Sequence, residues 1–177
     1  MASPSESSRR TYVLPTWLVV GAARLGPIGL LKPGPGTWGS VAGIGYFYAC
    51  VEPLGVLGVV LVNVVGLALA VFFCGEAEER LQQRDPGEII LDEFVAIPLC
   101  FLGWPLGLGL APAWAILLAG FVLFRLFDIT KPFGISRLQA LPGGWGVVAD
   151  DLAAALATCG CLHLARILWL ALHASSS

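Results

Sequence analysis

Charge is scarce in this chain: 12% of its 177 residues are Asp, Glu, Lys or Arg, against 57% hydrophobic residues and a mean hydropathy of +0.83. A soluble domain carries about 25% charged residues, so a fully polar exterior is excluded and the chain belongs in a bilayer. A net charge of −2 excludes the basic footprint of a nucleic-acid binder and any bulk electrostatic steering. The only histidines, His163 and His173, have no serine or basic motif beside them of the kind found in histidine-dependent lipid phosphatases. No Asp-x-Asp nucleophile motif occurs, and no Cys-x2-Cys spacing. The five cysteines are odd in number and lie in or beside apolar stretches, so they read as buried or lipid-facing thiols. Cys74 and Arg80 match the Cys-x5-Arg spacing of a phosphatase loop, but Glu76, Glu78 and Glu79 lie between them and would repel a phosphate. The start of the chain lacks an apolar core followed by a small-residue cleavage site, so it does not read as a signal peptide. Residues 1–12 are expected to be a disordered tail and 13–174 a single membrane-embedded domain.

The hydrophobic residues are distributed in long runs without the period-two alternation of a barrel. The expected fold is an all-α integral membrane helical bundle with short re-entrant or interfacial helices. Residues 13–31 read as an interfacial helix and loop. The Pro- and Gly-rich segment KPGPGTWGS, residues 32–40, reads as irregular, with Ser40 capping a helix from Val41. Residues 41–51 are long enough for about half a bilayer core, and 54–74 for a full crossing. A polar helix-like stretch follows, closed by Pro86-Gly87. The block over 89–127 turns at Gly103-Trp104-Pro105, and Pro132 disfavours helical geometry at Lys131. A last apolar helix covers 152–172.

Against this background five carboxylates stand out: Asp92, Glu93, Asp128, Asp150 and Asp151, all at the edges of apolar runs. An acid at a membrane boundary is costly unless it is paired, hydrated or bound to a cation. Glu88 lies one helical turn before Asp92. Arg125, Asp128 and Lys131 follow one another at three-residue intervals, so each neighbouring pair could be an ion pair tying off a helix end. Asp150 could be a plain N-cap, and a double aspartate there would also be favoured by the helix dipole. It is not a prenyltransferase DDxxD, because Leu152, Ala153 and Ala154 follow. If each of the first two blocks is a hairpin, the acids meet Lys32, Arg125, Lys131 and Arg137 at one interface. The positive-inside tendency makes that face cytoplasmic, since Arg9, Arg10, Arg80 and Arg84 fall on it too. Acids able to hold a divalent cation beside bases able to hold a phosphate point to phosphoryl chemistry on a lipid.

Four segments in this order, PGTWGS (35–40), DPGEIILDE (85–93), FRLFDITKP (124–132) and GGWGVVADD (143–151), resemble the phosphatidylglycerophosphatase A family. The likeness runs over residues 20–160 or so. It departs at Ala96, where the family often has Gly, and at Gly134, where a second Pro is common. The resemblance implies a magnesium-dependent enzyme of the bacterial inner membrane that converts phosphatidylglycerophosphate to phosphatidylglycerol. Asp92, Glu93, Asp128, Asp150 and Asp151 would then hold Mg²⁺, with Glu93 a candidate general base. Lys32, Arg125 and Lys131 would contact phosphate, with Thr37 and Ser40 as further donors. Two other classes compete with this reading: a small transporter or channel subunit with an acidic cation site, and a non-catalytic lipid-binding subunit.

Overall fold

In the computed structural model, residues 14–104, 106 and 111–174 are described. They are helical, with no strand among them. A short α1 (Thr16–Ala23) leads through a 3-10 turn at Ile28–Leu30 into α2 (Pro35–Tyr46). The last part of α2 widens into a π-helix over Phe47–Val51, and a 3-10 turn at Glu52–Leu54 reverses the chain into α3 (Gly55–Leu81). Then come α4 (Leu91–Cys100), α5 (Ala113–Thr130), a long 3-10 segment over Pro132–Ala140 and α6 (Trp145–Ala174). The tail expected over residues 1–12 and part of the Gly103-Trp104-Pro105 turn lie outside the described residues.

Three stretches are long and apolar enough to cross a membrane: Pro35–Leu81, Ala113–Thr130 and Trp145–Ala174. With 27 residues, α3 extends about 40 Å, more than a hydrocarbon core of about 30 Å. Its surplus carries the polar residues that the sequence suggested as a separate helix, so apolar span and charged end are one element. The charged end is tied down by Arg80, which pairs with Glu76 at 2.8 Å one turn earlier and donates to the Leu14 carbonyl at 3.0 Å.

The short helix α4 packs against α2, α3 and α6. Its ten residues extend about 15 Å, half a bilayer core, and every one of them is buried or half-buried. Phe47 and Phe101 stack at 4.9 Å beneath it and, with Ile97 and Phe124, form the centre of the core.

The expectation that residues 32–40 are irregular is corrected here, because α2 begins at Pro35 and includes Gly36, Thr37, Trp38, Gly39 and Ser40. Proline at the first helical position lacks only an N–H that would go unused there. The glycines that looked like helix breakers serve packing instead. A Cβ at Gly39 or Gly43 would come within 2.9 Å of the side chain of Ile90 or Ile97, so the missing side chains let α2 lie against α4 and its approach.

A second close approach sets the depth of α6. Gly143 turns with φ +60°, and a Cβ on the next residue, Gly144, would stand 1.8 Å from the Val71 carbonyl oxygen of α3. Because that obstacle is backbone, no rotamer change relieves it. Gly144→Ala is therefore expected to destabilise the protein by about 1–3 kcal/mol, measured as a lower melting temperature in detergent. A melting temperature equal to that of the parent would show that the contact does not hold α6 against α3.

Candidate active site

The carboxylates singled out in the sequence come together at one end of the bundle. On the first turn of α4, Asp92 is 5% exposed, and its Oδ1 accepts the Glu93 amide at 3.0 Å. The Glu93 side chain faces α2 and α5. Its Oε1 lies 3.1 Å from Arg125 Nη1, and the same nitrogen donates to Asp128 Oδ2 at 2.8 Å. One guanidinium thereby joins an acid on α4 to an acid at the end of α5. The Ser40 hydroxyl has a single proton to share between the Gly36 carbonyl at 2.9 Å and Glu93 Oε2 at 3.1 Å. Its position inside α2 replaces the expected N-cap.

Asp150 and Asp151 are likewise not at a helix start. α6 begins at Trp145, which places them in its second turn, each 4% exposed. The N-cap reading of Asp150 fails on this count: the Gly-rich turn is one helical turn shorter than it looks, because Trp145 to Ala149 are already helical. Asp150 Oδ2 is bonded by Lys131 Nζ, while its Oδ1 is buried without a partner among the described residues. The charges nearest in effect to Asp151 are those of Asp92, Asp128, Glu93 and Asp150. Three helices, α4, α5 and α6, therefore deliver five acids to one end of the bundle.

Lys131 reaches Asp150, where the sequence had allowed it to pair with Asp128, because it has left the helix. Its φ of 43° and ψ of 52° end α5 in the left-handed region just before Pro132. Burial pulls the Lys131 ammonium down, but the bond to Asp150 and the charges of Asp128 and Asp151 outweigh it and leave its pKa raised.

Comparison with known proteins covers the stretch of chain that carries these acids and bases. The model of the family described as phosphatidylglycerophosphatase A matches residues 21–166. The chain belongs to the phosphatidylglycerophosphatase A family. It is 35% identical over 140 residues to phosphatidylglycerophosphatase A of Haemophilus influenzae, covering 72% of this chain and 76% of the relative. To phosphatidylglycerophosphatase A of Escherichia coli it is 30% identical over 137 residues, 76% of each chain. No solved structure matches. As a member of this family the chain is a phosphoric monoester hydrolase, and its apolar helices associate it with a membrane.

Not every residue of the predicted phosphatidylglycerophosphatase A site joins the cluster. Lys32 is exposed on the loop before α2, and among the described residues no hydrogen bond or ion pair ties it to the acids. Thr37 is half-buried one turn before Ser40. Arg137 is exposed on the 3-10 segment. Glu88 precedes α4 and pairs with Arg24 of the α1 end, so it anchors the approach to the site.

One acid was missed by the sequence reading. Asp85, exposed in the loop between α3 and α4, is pushed up by the partial desolvation it has there, against the pull of Lys131 and with the push of Asp150 and Asp128. Its backbone is left-handed at φ 47°, and its Oδ2 accepts from Gln139 at 3.1 Å. Standing before Pro86-Gly87 it looks like an ordinary turn residue. The only hint was that it opens the DPGEIILDE segment.

Whether these residues suit a metal ion can be judged from their chemistry. The donors are carboxylates alone, which select a hard cation such as Mg²⁺ over the softer transition metals. Among the described residues, Asp92, Glu93, Asp128, Asp150 and Asp151 are paired with no base but Arg125 and Lys131, an imbalance costly to hold in a low dielectric. Asp150 Oδ1 has no donor among them. The bases draw Glu93, Asp128 and Asp150 towards themselves, and among the described residues no three acids converge tightly enough to hold an ion as they stand. The donor set fits a hard divalent cation; closing on it requires carboxylates to turn from base to ion.

Proposed function

We propose that the chain is a Mg²⁺-dependent lipid phosphatase that hydrolyses phosphatidylglycerophosphate to phosphatidylglycerol and phosphate. The observation that carries this reading is the meeting of buried Asp92, Asp150 and Asp151 with Arg125 and Lys131 at one end of a membrane bundle. Asp92, Glu93, Asp128, Asp150 and Asp151 are the residues that would hold Mg²⁺. When bound, the ion would polarise the phosphate and lower the pKa of water.

The protein's own groups have distinct tasks. Arg125 bridges Glu93 and Asp128, and exchanging either carboxylate for a phosphate oxygen keeps its charge satisfied. Lys131, held over Asp150 by a backbone kink, offers a second positive charge to the same headgroup. Ser40 and Thr37 supply hydroxyl donors from the first turns of α2, where unpaired helix N–H groups also favour an anion. Glu93, held between the Ser40 hydroxyl and Arg125, would take a proton from attacking water. Lys32, exposed beyond the cluster, is suited to meeting the headgroup on entry. Arg80 and Arg84 accompany the charged end of α3, which supports a cytoplasmic-facing site in the inner membrane. The acids gather at one end of the bundle, which favours an enzyme over an ion pathway.

The test is phosphate release by the purified protein from phosphatidylglycerophosphate, with Mg²⁺ and then with excess chelator, beside the same measurement on phosphatidic acid. Release is expected with Mg²⁺, lost on chelation, regained on adding Mg²⁺ back, and slower on phosphatidic acid. Undiminished release in chelator overturns the metal dependence. No release under any condition overturns the phosphatase reading.

A further inference from the structure

We propose that a groove on the membrane side of α4, directly below Asp92 and Glu93, binds one acyl chain of the lipid substrate; this rests on the phosphatase reading above. The groove has a volume of about 460 Å³ and runs between α3 and α4, with Tyr46 of α2 at one side. Its upper wall is Leu91 and Phe94, the residues that flank the Asp92-Glu93 pair. The acidic site and the groove are thus two faces of the same helical turn, and a lipid whose phosphate meets the acids has its chains at the mouth of the groove.

The shape and chemistry of the groove select hydrocarbon. Along α3 it extends from Leu61 to Leu69, about 12 Å at about 1.5 Å per residue. A cleft of that length takes an extended hydrocarbon chain lengthwise. Tyr46 and Asn63 are the only lining residues with polar side-chain atoms. The Tyr46 ring stacks on Phe94 at 5.0 Å; the Asn63 Nδ2 donates to the Val59 carbonyl at 2.8 Å, which leaves its Oδ1 as a single buried acceptor without a partner among the described residues. A hydrated headgroup would find too few partners there. Leu61, Val65 and Leu69 on the rim are 57%, 60% and 50% exposed, so in a bilayer the slot opens sideways to lipid and a chain enters without crossing water.

The slot exists because residue 66 has no side chain. A Cβ at Gly66 would meet Val95 at 3.4 Å, an ordinary contact, so small substitutions fit and a larger side chain extends into the groove. Leucine also favours the helix more than glycine does, so Gly66→Leu does not weaken α3 through propensity.

The experiment compares Gly66→Leu with the parent on two forms of phosphatidylglycerophosphate, one with two long chains presented in mixed micelles and one with two six-carbon chains. Gly66→Leu is expected to raise KM for the long-chain lipid about tenfold, the equivalent of about two lost methylene contacts. Its kcat/KM on the short-chain lipid should stay within about twofold of the parent. Leu69→Trp, which narrows the exposed rim without displacing a packed neighbour, should show the same selective loss even if Gly66→Leu fails to accumulate. Equal losses on both lipids, or no loss on the long-chain lipid, overturn the groove. A parent protein inactive on both lipids overturns the phosphatase reading instead.

Discussion

Asp151→Asn is expected to lower kcat/KM for phosphate release by about 10³-fold, about 4 kcal/mol of transition-state stabilisation, while leaving the melting temperature unchanged or raised. The two halves of that expectation come from the same geometry. Asp151 is 4% exposed and surrounded by the charges of Asp92, Asp128, Glu93 and Asp150; among the described residues no base is bonded to it, and the Lys131 ammonium acts on it without a bond. A buried carboxylate without a bonded base burdens the fold, so replacing it with a neutral amide of the same shape removes repulsion and leaves packing intact. On the proposed metal reading, losing its charge removes a ligand, so activity falls while the fold does not suffer. The paired measurement separates this account from a structural role: a variant that melts earlier and keeps its catalytic rate would contradict it.

Gly36→Ala should cost about 10²-fold in kcat, the scale on which a misplacement of about 1 Å near a reacting centre acts. A Cβ at Gly36 would stand 2.0 Å from Glu93 Oε1 and 2.7 Å from its Cδ. The obstacle is the end of a flexible side chain, so the helices need not move and the carboxylate swings away. Glu93 would then lose Ser40, now 3.1 Å from its Oε2, and its registration with Arg125. Alanine is a better helix former than glycine, so stability should hold while activity falls. Combining Gly36→Ala with Glu93→Asp shortens the displaced side chain and should recover part of the lost rate. Strictly additive losses in the double-mutant cycle would show that residue 36 acts on something other than Glu93.

The sequence reading found the acids for a physical reason that survives in the fold: a charge embedded in an apolar run is expensive wherever the run folds, so Asp92, Glu93, Asp128, Asp150 and Asp151 could be found without coordinates. The end of α5 was equally legible, because Pro132 acts on Lys131 locally. What escaped depends on distant partners. The glycines of α2 looked like breakers because their value is the room they make for Ile90, Glu93 and Ile97, more than 50 residues away in sequence. Lys131 had a suitable partner three residues back and took Asp150 in preference, a choice fixed by where α6 docks on α3 through Gly144. Asp85 was hidden by its Pro-Gly neighbours, which explain it locally and leave its tertiary surroundings unseen.

The enclosure of α4 bears on how such a protein tolerates different membranes. When a bilayer thins or swells, the segments that touch lipid along their whole length must tilt or bend to match it. Here that adjustment falls on α3, α5 and α6, whose outer faces are exposed. The ten-residue α4 has no exposed residue and no hydrophobic length of its own to match. Asp92 and Glu93 are therefore insulated from membrane thickness, whereas Asp128, Asp150 and Asp151 ride on the helices that adjust to it.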